Sequence, residues 1–171
     1  MKRRWLMAFA VIFLSTLGTV STGAQGFGDK IELSAGYSYM HFGTSPKVNL
    51  NGFDVSGQYK LADWLGIAAD VTGEYGKVGG VSSRVYTYLF GPQVSWPRRV
   101  SPFAHALVGG SHFDGGGFAS KGIAWGIGAG VDYRWKPQLS WRVIEIDAIP
   151  THLGGDEEHN TRLLTGIVLR F

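Results

Sequence analysis

The sequence predicts an all-β protein, an eight-stranded antiparallel up-and-down transmembrane β-barrel preceded by a cleavable signal peptide. Three observations predict this fold. Polar and apolar residues alternate with period two in runs of about ten residues, no stretch after residue 24 holds 18 consecutive apolar residues, and the first 24 residues resemble an export signal. A tilted strand needs about 9 to 11 residues to cross a bilayer. Because only helices and closed barrels satisfy every backbone group in lipid, the pattern favours a barrel.

The first element is the export signal. Lys2, Arg3 and Arg4 are followed by an apolar stretch at 5–17, and Ala24 ends a small-residue cleavage motif. The alternative, a membrane anchor, needs about 20 apolar residues. We therefore expect a signal peptide at 1–24 and a barrel domain at 25–171.

Removing this segment changes the charge balance. The signal carries three of the 16 bases and none of the 13 acids, so the mature chain has equal numbers of both. Nucleic acid is therefore not an expected partner, because the basic surplus leaves with the signal. The chain has no cysteine, so a disulfide framework is excluded.

Eight segments of the mature chain show the alternation that is typical of strands. They are 30–42, 50–60, 65–75, 83–94, 103–112, 123–135, 140–149 and 162–171. The clearest is 123–135, whose apolar face holds Ile123, Trp125, Ile127, Ala129, Val131, Tyr133 and Trp135. An even number of strands lets a meander close with both termini on one side.

Two of these strands are less regular. In 103–112 we place Ala104, Ala106 and Val108 outward and His105 inward. In 140–149 the outward set is Ile144, Ile146 and Ala148, and the inward set is Val143, Glu145 and Asp147.

The inward positions predict a network of charged side chains in the lumen. Its members are Glu32, Asp70, Asp132, Arg134, Glu145, Asp147 and Arg170. Closure should bring Glu32 to Arg170, and Arg134 and Lys60 should serve Asp132 and Glu145. Asp70 and Asp147 have no obvious base, which suggests trapped water or a protonated carboxyl.

The aromatic residues predict two girdles, one at each membrane surface. Turns at 61–64, 95–102 and 136–139 should lie on the side of the termini, and loops at 43–49, 76–82, 113–121 and 152–161 on the other. The first girdle is Trp64, Trp96, Trp135 and Trp141; the second is Tyr39, Tyr75, Tyr86 and Trp125.

The C-terminal strand carries the most specific motif. Phe171 ends the sequence, and Leu169, Ile167 and Leu163 lie on its face. This arrangement resembles the C-terminal signal by which the barrel-assembly machinery recognises outer-membrane barrels.

The mature chain as a whole resembles the eight-stranded outer-membrane barrels, the superfamily of the OmpA transmembrane domain and small porin-like proteins. The segments 59–66, 89–93 and 102–109 carry this resemblance. It implies a Gram-negative outer membrane, termini in the periplasm, and membrane lipids, lipopolysaccharide and the assembly machinery as partners. It implies no cofactor, and we expect a monomer.

The predicted function is a structural or interaction role with a side-chain-filled lumen, since eight strands leave room for little else. The first alternative is a narrow porin-like channel, because the inward glycines at 126, 128 and 130 could leave a gap. A lipid-modifying enzyme and a soluble lipocalin-like binder are further alternatives.

No catalytic or metal residue is predicted. Ser111-His112 and the segment 156–159 supply residue types for catalysis, but no deacylase-like His-x-Ser motif is present. His41, His112, His152 and His159 should lie near the external rim, where no two have a familiar ligand spacing.

Overall fold

The computed structural model describes residues 30–42, 48–78, 81–115, 117–153 and 156–171. The predicted signal peptide lies outside these ranges. Eight strands make up this described chain: β1 (Ile31–Phe42), β2 (Val48–Ala62), β3 (Leu65–Val78), β4 (Val81–Ser95), β5 (Val100–Gly115), β6 (Phe118–Lys136), β7 (Leu139–Leu153) and β8 (Asp156–Arg170). Among these residues there is no helix with the length and hydropathy to cross a membrane.

The strands form a closed antiparallel barrel in which each pairs with the next along the chain and β8 returns to β1. At the closing seam Glu32 is in register with Arg170, and Phe42 is in register with Asn160. The Phe171 N–H donates to the Ile31 carbonyl over 2.9 Å, so both ends of the described chain lie at one end of the barrel. We call this the termini end and the opposite one the loop end. Closure leaves no unpaired strand edge.

Three of the loops predicted at the loop end are too long, because they include residues that belong to strands. Strands continue through most of 76–82, 113–121 and 152–161; Asp114, for example, pairs with Ala119, and His112 with Lys121. The reason is that backbone pairing needs no apolar face, so the ladder extends past the amphipathic run. Gly117, in the tight β5–β6 connection, has a φ of 82°, which glycine adopts without steric cost.

The two faces of the barrel have opposite chemistry. Outward apolar side chains such as Ile127 and Phe90 are 58% and 60% exposed, whereas the inward Asp147 and Arg162 are 1% and 0% exposed. The predicted orientation of 103–112 is correct, because His105 is buried while Ala106 and Val108 are exposed. The barrel is therefore apolar outside, and its charged side chains are concentrated inside.

Candidate functional site: the charged lumen and the aromatic rims

The lumen nearest the termini end is organised around Glu32. Its carboxylate lies 2.6 Å from Lys60 Nζ and 2.6 Å from Arg170 Nε, so the predicted Glu32–Arg170 pair across the seam is present. Arg170 also donates to Ser140 Oγ and lies 3.7 Å from Asp132. Lys60 was predicted to serve Asp132 or Glu145, and this is wrong: it serves Glu32.

The next cluster is built on Arg142. Its guanidinium donates to Asp132 over 3.0 Å and to Glu145 over 2.7 Å, and it stacks on the Phe103 ring at 4.4 Å from the centroid. These three contacts fix a planar, always-charged group within the lumen. The prediction that Arg134 serves Asp132 and Glu145 is wrong. Arg134 is half-buried at the end of β6, and its Nε has no hydrogen-bond partner among the described residues.

A β-bulge explains why Arg142 points inward. One extra residue between Arg142 and Glu145 shifts the register against β8, so that Arg142 and Glu145 both face the lumen. Val143 and Ile144 are consequently both outward, at 38% and 43% exposure. The prediction that Val143 faces inward is therefore wrong, because it assumed an uninterrupted period of two.

At the bulge, a side chain on β8 donates to the Arg142 carbonyl. The Thr165 hydroxyl donates to this carbonyl over 2.9 Å, and the Trp141 indole N–H donates to the same hydroxyl over 3.2 Å. Thr165 is outward-facing. It thus satisfies a backbone group on the apolar surface, where no water would replace it in lipid.

A third cluster, in the middle of the barrel, is built on Arg162. This fully buried guanidinium donates to Asp70 through two bonds of 3.0 Å and to Asp147 over 2.7 Å. The expectation that Asp70 and Asp147 lack a base is therefore wrong. Asp54 lies 3.8 Å from Arg162, and His105 Nε2 donates to Asp147 over 3.0 Å. Arg162 therefore links β8 to its neighbour β7 and, across the lumen, to β3.

The loop-end half of the lumen is closed by apolar side chains. Met40, Leu50 and Ile149 are each 1% exposed, and Val85 packs with them beside Phe113. Two residues from Met40 toward the termini end, the Ser38 hydroxyl donates to Glu74 over 2.5 Å. The lumen therefore consists of ionic clusters at the termini end and the middle, followed by an apolar layer.

One group in the lumen has the composition of a metal site. His105, Glu145 and Asp147 bring ligand atoms within 4.8 Å of one another. Each carboxylate, however, gives its other oxygen to an arginine: Glu145 to Arg142 and Asp147 to Arg162. Each carboxylate is therefore already engaged by a guanidinium, so the cluster is better suited to ion pairing than to holding a cation.

The outer surface carries aromatic residues at both ends. Trp64, Trp96, Trp135 and Trp141 lie at the termini end and are 57%, 56%, 74% and 47% exposed. Tyr39, Tyr75, Tyr86 and Trp125 lie toward the loop end, where the Tyr75 and Tyr86 rings meet edge to face at 6.0 Å. On β8, Leu163 and Ile167 are exposed, and Leu169 and Phe171 are half-buried on the same face.

The sequence pattern did not predict that Arg142 faces the lumen, and it did not predict the partners of Arg162. A signal for the first was present: Val143 and Ile144 are consecutive apolar residues in an alternating strand, as expected when a bulge turns both outward. Arg162 was placed inward, but its reach to Asp70, 92 residues away in sequence, depends on which strands lie opposite each other in the closed barrel.

No protein-family model matches the chain, and no curated protein sequence matches it either. Several solved structures share its fold. Neisserial surface protein A superposes with a TM-score of 0.68 at 17% identity, over 83% of this chain and 97% of that one. Ail, the attachment invasion locus protein of Yersinia pestis, gives 0.57 at 17% identity over 82% and 97%, and the N-terminal β-barrel domain of Pseudomonas aeruginosa OprF gives 0.55 at 13% over 84% and 99%.

These similarities define the class of fold. The chain has the architecture of the small eight-stranded outer-membrane β-barrels, closed and antiparallel throughout its described length. At identities this low, the likeness concerns the fold alone.

Proposed function

We propose that the protein is an integral barrel of the bacterial outer membrane with a structural or interaction role, whose lumen is closed by its own side chains. One observation carries the proposal: the distribution of polarity is inverted, with ion pairs buried inside and large apolar side chains outside. In water, a protein with so many exposed apolar side chains would aggregate. In a bilayer, the same side chains would contact the apolar acyl chains of the lipids.

The filling of the lumen argues against a pore. An ion crossing the barrel would have to pass Arg142, Arg162 and then the layer of Met40, Leu50 and Ile149. Arg162 is held by short bonds to Asp70 across the lumen, Arg142 is held by short bonds to its own strand and to β6, and an eight-stranded barrel is only wide enough for side chains. Displacing a buried guanidinium from its carboxylates is strongly unfavourable. The barrel is therefore expected to be closed on the timescale of ion permeation.

The arrangement of polar residues also argues against an enzyme. Catalysis needs a nucleophile beside a base at a place that substrate can reach. Ser111 is buried in the lumen, while the adjacent His112 lies on the outward face, because successive residues of a strand point to opposite faces. His105 is buried and bonded to Asp147. Within the described chain, these histidines offer no accessible dyad.

Orientation and partners belong to the same proposal. We place the termini end in the periplasm and the loop end outside, where lipopolysaccharide would surround Tyr75 and Trp125. The outward face of β8, ending at Phe171, would be the segment that the barrel-assembly machinery reads. The position of Phe171 supports this role for β8. Phe171 lies beside the closing seam, where β8 must pair with β1 to complete the barrel.

Single-channel recording on the refolded protein tests the closed lumen. Wild type should show no steady current, and Arg142→Ala combined with Glu145→Ala should produce flickering openings; Ile127→Ala, on the outer face, is the control. A steady wild-type current unaffected by the double change would instead favour the narrow channel. Such a channel should select cations, because the described lumen buries seven acids against Lys60 and three arginines.

A further inference from the structure

The turn between β4 and β5 forms an open groove on the outer surface at the termini end. Trp96, Arg98, Val100 and Pro102 line it. Trp96 and Val100 are 56% and 54% exposed, and nothing in the described chain covers them. The groove has an apolar wall on the side of the strands and a guanidinium at the turn.

The turn is rigid. The Trp96 N–H donates to the Pro102 carbonyl over 3.0 Å, and the Trp96 carbonyl accepts from the Arg98 N–H at 2.9 Å and the Ser101 hydroxyl at 2.6 Å. Proline at 97 and 102 fixes two further backbone angles. A ligand that binds here would not have to order the backbone, which lowers the entropic cost of binding.

A second arginine stands next to the groove. The Arg99 guanidinium lies 5.6 Å from the centroid of the Tyr133 ring. The Arg99 backbone carbonyl accepts the Arg134 N–H over 2.8 Å. Neither Arg98 nor Arg99 is ion-paired with a described residue. This contrasts with the arginines of the lumen, each of which is bound to at least one carboxylate.

The whole termini end is basic on its surface. Among the residues that the structure describes at this end, the exposed charged side chains are four bases, Lys30, Arg98, Arg99 and Lys136, and one acid, Asp63. The acids at this end that face inward are already neutralised, as Glu32 is by Lys60 and Arg170. An anionic group at the groove would therefore meet uncompensated positive charge.

We propose that this groove binds the headgroup of an anionic phospholipid, with Arg98 and Arg99 on the phosphate and an acyl chain along Trp96, Val100 and Pro102. Arginine pairs well with phosphate through its fork of donors, and basic pockets at membrane surfaces select anionic headgroups. Tryptophan at this depth favours the interface between headgroup and chain. The inference rests on the proposed insertion of the barrel in a membrane.

Native mass spectrometry of the refolded protein in micelles tests it, with dioleoylphosphatidylglycerol against dioleoylphosphatidylcholine as probes. Wild type should retain the anionic lipid preferentially. Arg98→Gln with Arg99→Gln should weaken that retention by about 30-fold, given what each base contributes near a membrane surface. Lys77→Gln with Lys121→Gln, the same loss of charge at the loop end, should leave it unchanged.

Three results would overturn the site. They are equal retention of both lipids by wild type, an equal loss in both double variants, and displacement of the lipid by glycerol 3-phosphate, which has a phosphate but no acyl chain. Val100→Asn should lower retention with the charge intact. Folding into pure phosphatidylcholine vesicles, followed by gel mobility, separates this inference from the proposed function. If wild type does not insert there, the membrane proposal itself fails.

Discussion

Arg162→Met is the sharpest test of the idea that ion pairs hold the lumen together. The change keeps a long side chain but removes the base that Asp70 and Asp147 share at 3.0 and 2.7 Å. Breaking a buried pair from one side costs about 3 to 5 kcal/mol. The loss of folding free energy also has an upper limit. A buried carboxylate that has lost its base can take up a proton, and this costs about 4 kcal/mol at pH 7 for an aspartate of ordinary pKa. With two carboxylates involved, we expect a loss of about 3 to 8 kcal/mol.

This upper limit also predicts how the loss of folding free energy depends on pH. Protonating an ordinary aspartate costs only about 1.5 kcal/mol at pH 5, so the penalty should shrink as the pH falls. Urea unfolding from lipid vesicles, followed by tryptophan fluorescence at both pH values, measures it. Leu163→Met, on the outward face of the same strand, is the control and should cost less than about 1.5 kcal/mol. A loss below about 1 kcal/mol for Arg162→Met at pH 7, or one that grows at pH 5, would refute the reasoning.

Three further predictions concern the outer face and the last strand. Ile127→Lys should destabilise the inserted barrel by about 2 to 4 kcal/mol in the same urea assay, since it would face mid-bilayer lipid; tolerance equal to that of a surface lysine would contradict this orientation. Thr165→Val should cost about 1 to 3 kcal/mol, because the Arg142 carbonyl at the bulge loses its donor, while Thr165→Ser should restore most of the stability. Phe171→Ser should lower the folded fraction in the outer membrane of cells, read from heat-modifiable gel migration, more than it lowers refolding into vesicles. Equal cellular yield would argue that the terminal aromatic is not an assembly signal.

The strands were predictable because barrels repeat one local rule. Alternation alone placed Ile127 outward and Asp132 inward, and an even strand count brought Glu32 to Arg170. The features that were not predicted depend on departures from the period-two alternation. A single bulge turns Arg142 into the lumen, and its only local signal is the pair of consecutive apolar residues Val143 and Ile144.

The choice of partners across the lumen was harder still. Which acid an inward arginine reaches depends on the stagger of the closed barrel, and no residue-level pattern encodes that quantity. Asp147 is the register partner of Arg162 on the neighbouring strand, but the bidentate bond of Arg162 to Asp70 spans the lumen. The placement of the aromatic residues toward the two ends of the barrel follows more directly from the sequence, because it depends only on the distance from a strand end, and their role as membrane girdles stays a prediction.

The ionic clusters have a consequence for how this barrel assembles. The Asp70–Arg162 and Glu32–Arg170 contacts join residues 92 and 138 positions apart, so neither exists in any fragment of consecutive strands that lacks β8. Until the last strand docks, Asp70 and Glu32 face a half-open trough that water can enter. Closing the seam expels that water and provides both bases at once. A barrel of this kind should therefore complete folding in one cooperative step, with few species that are inserted but still open.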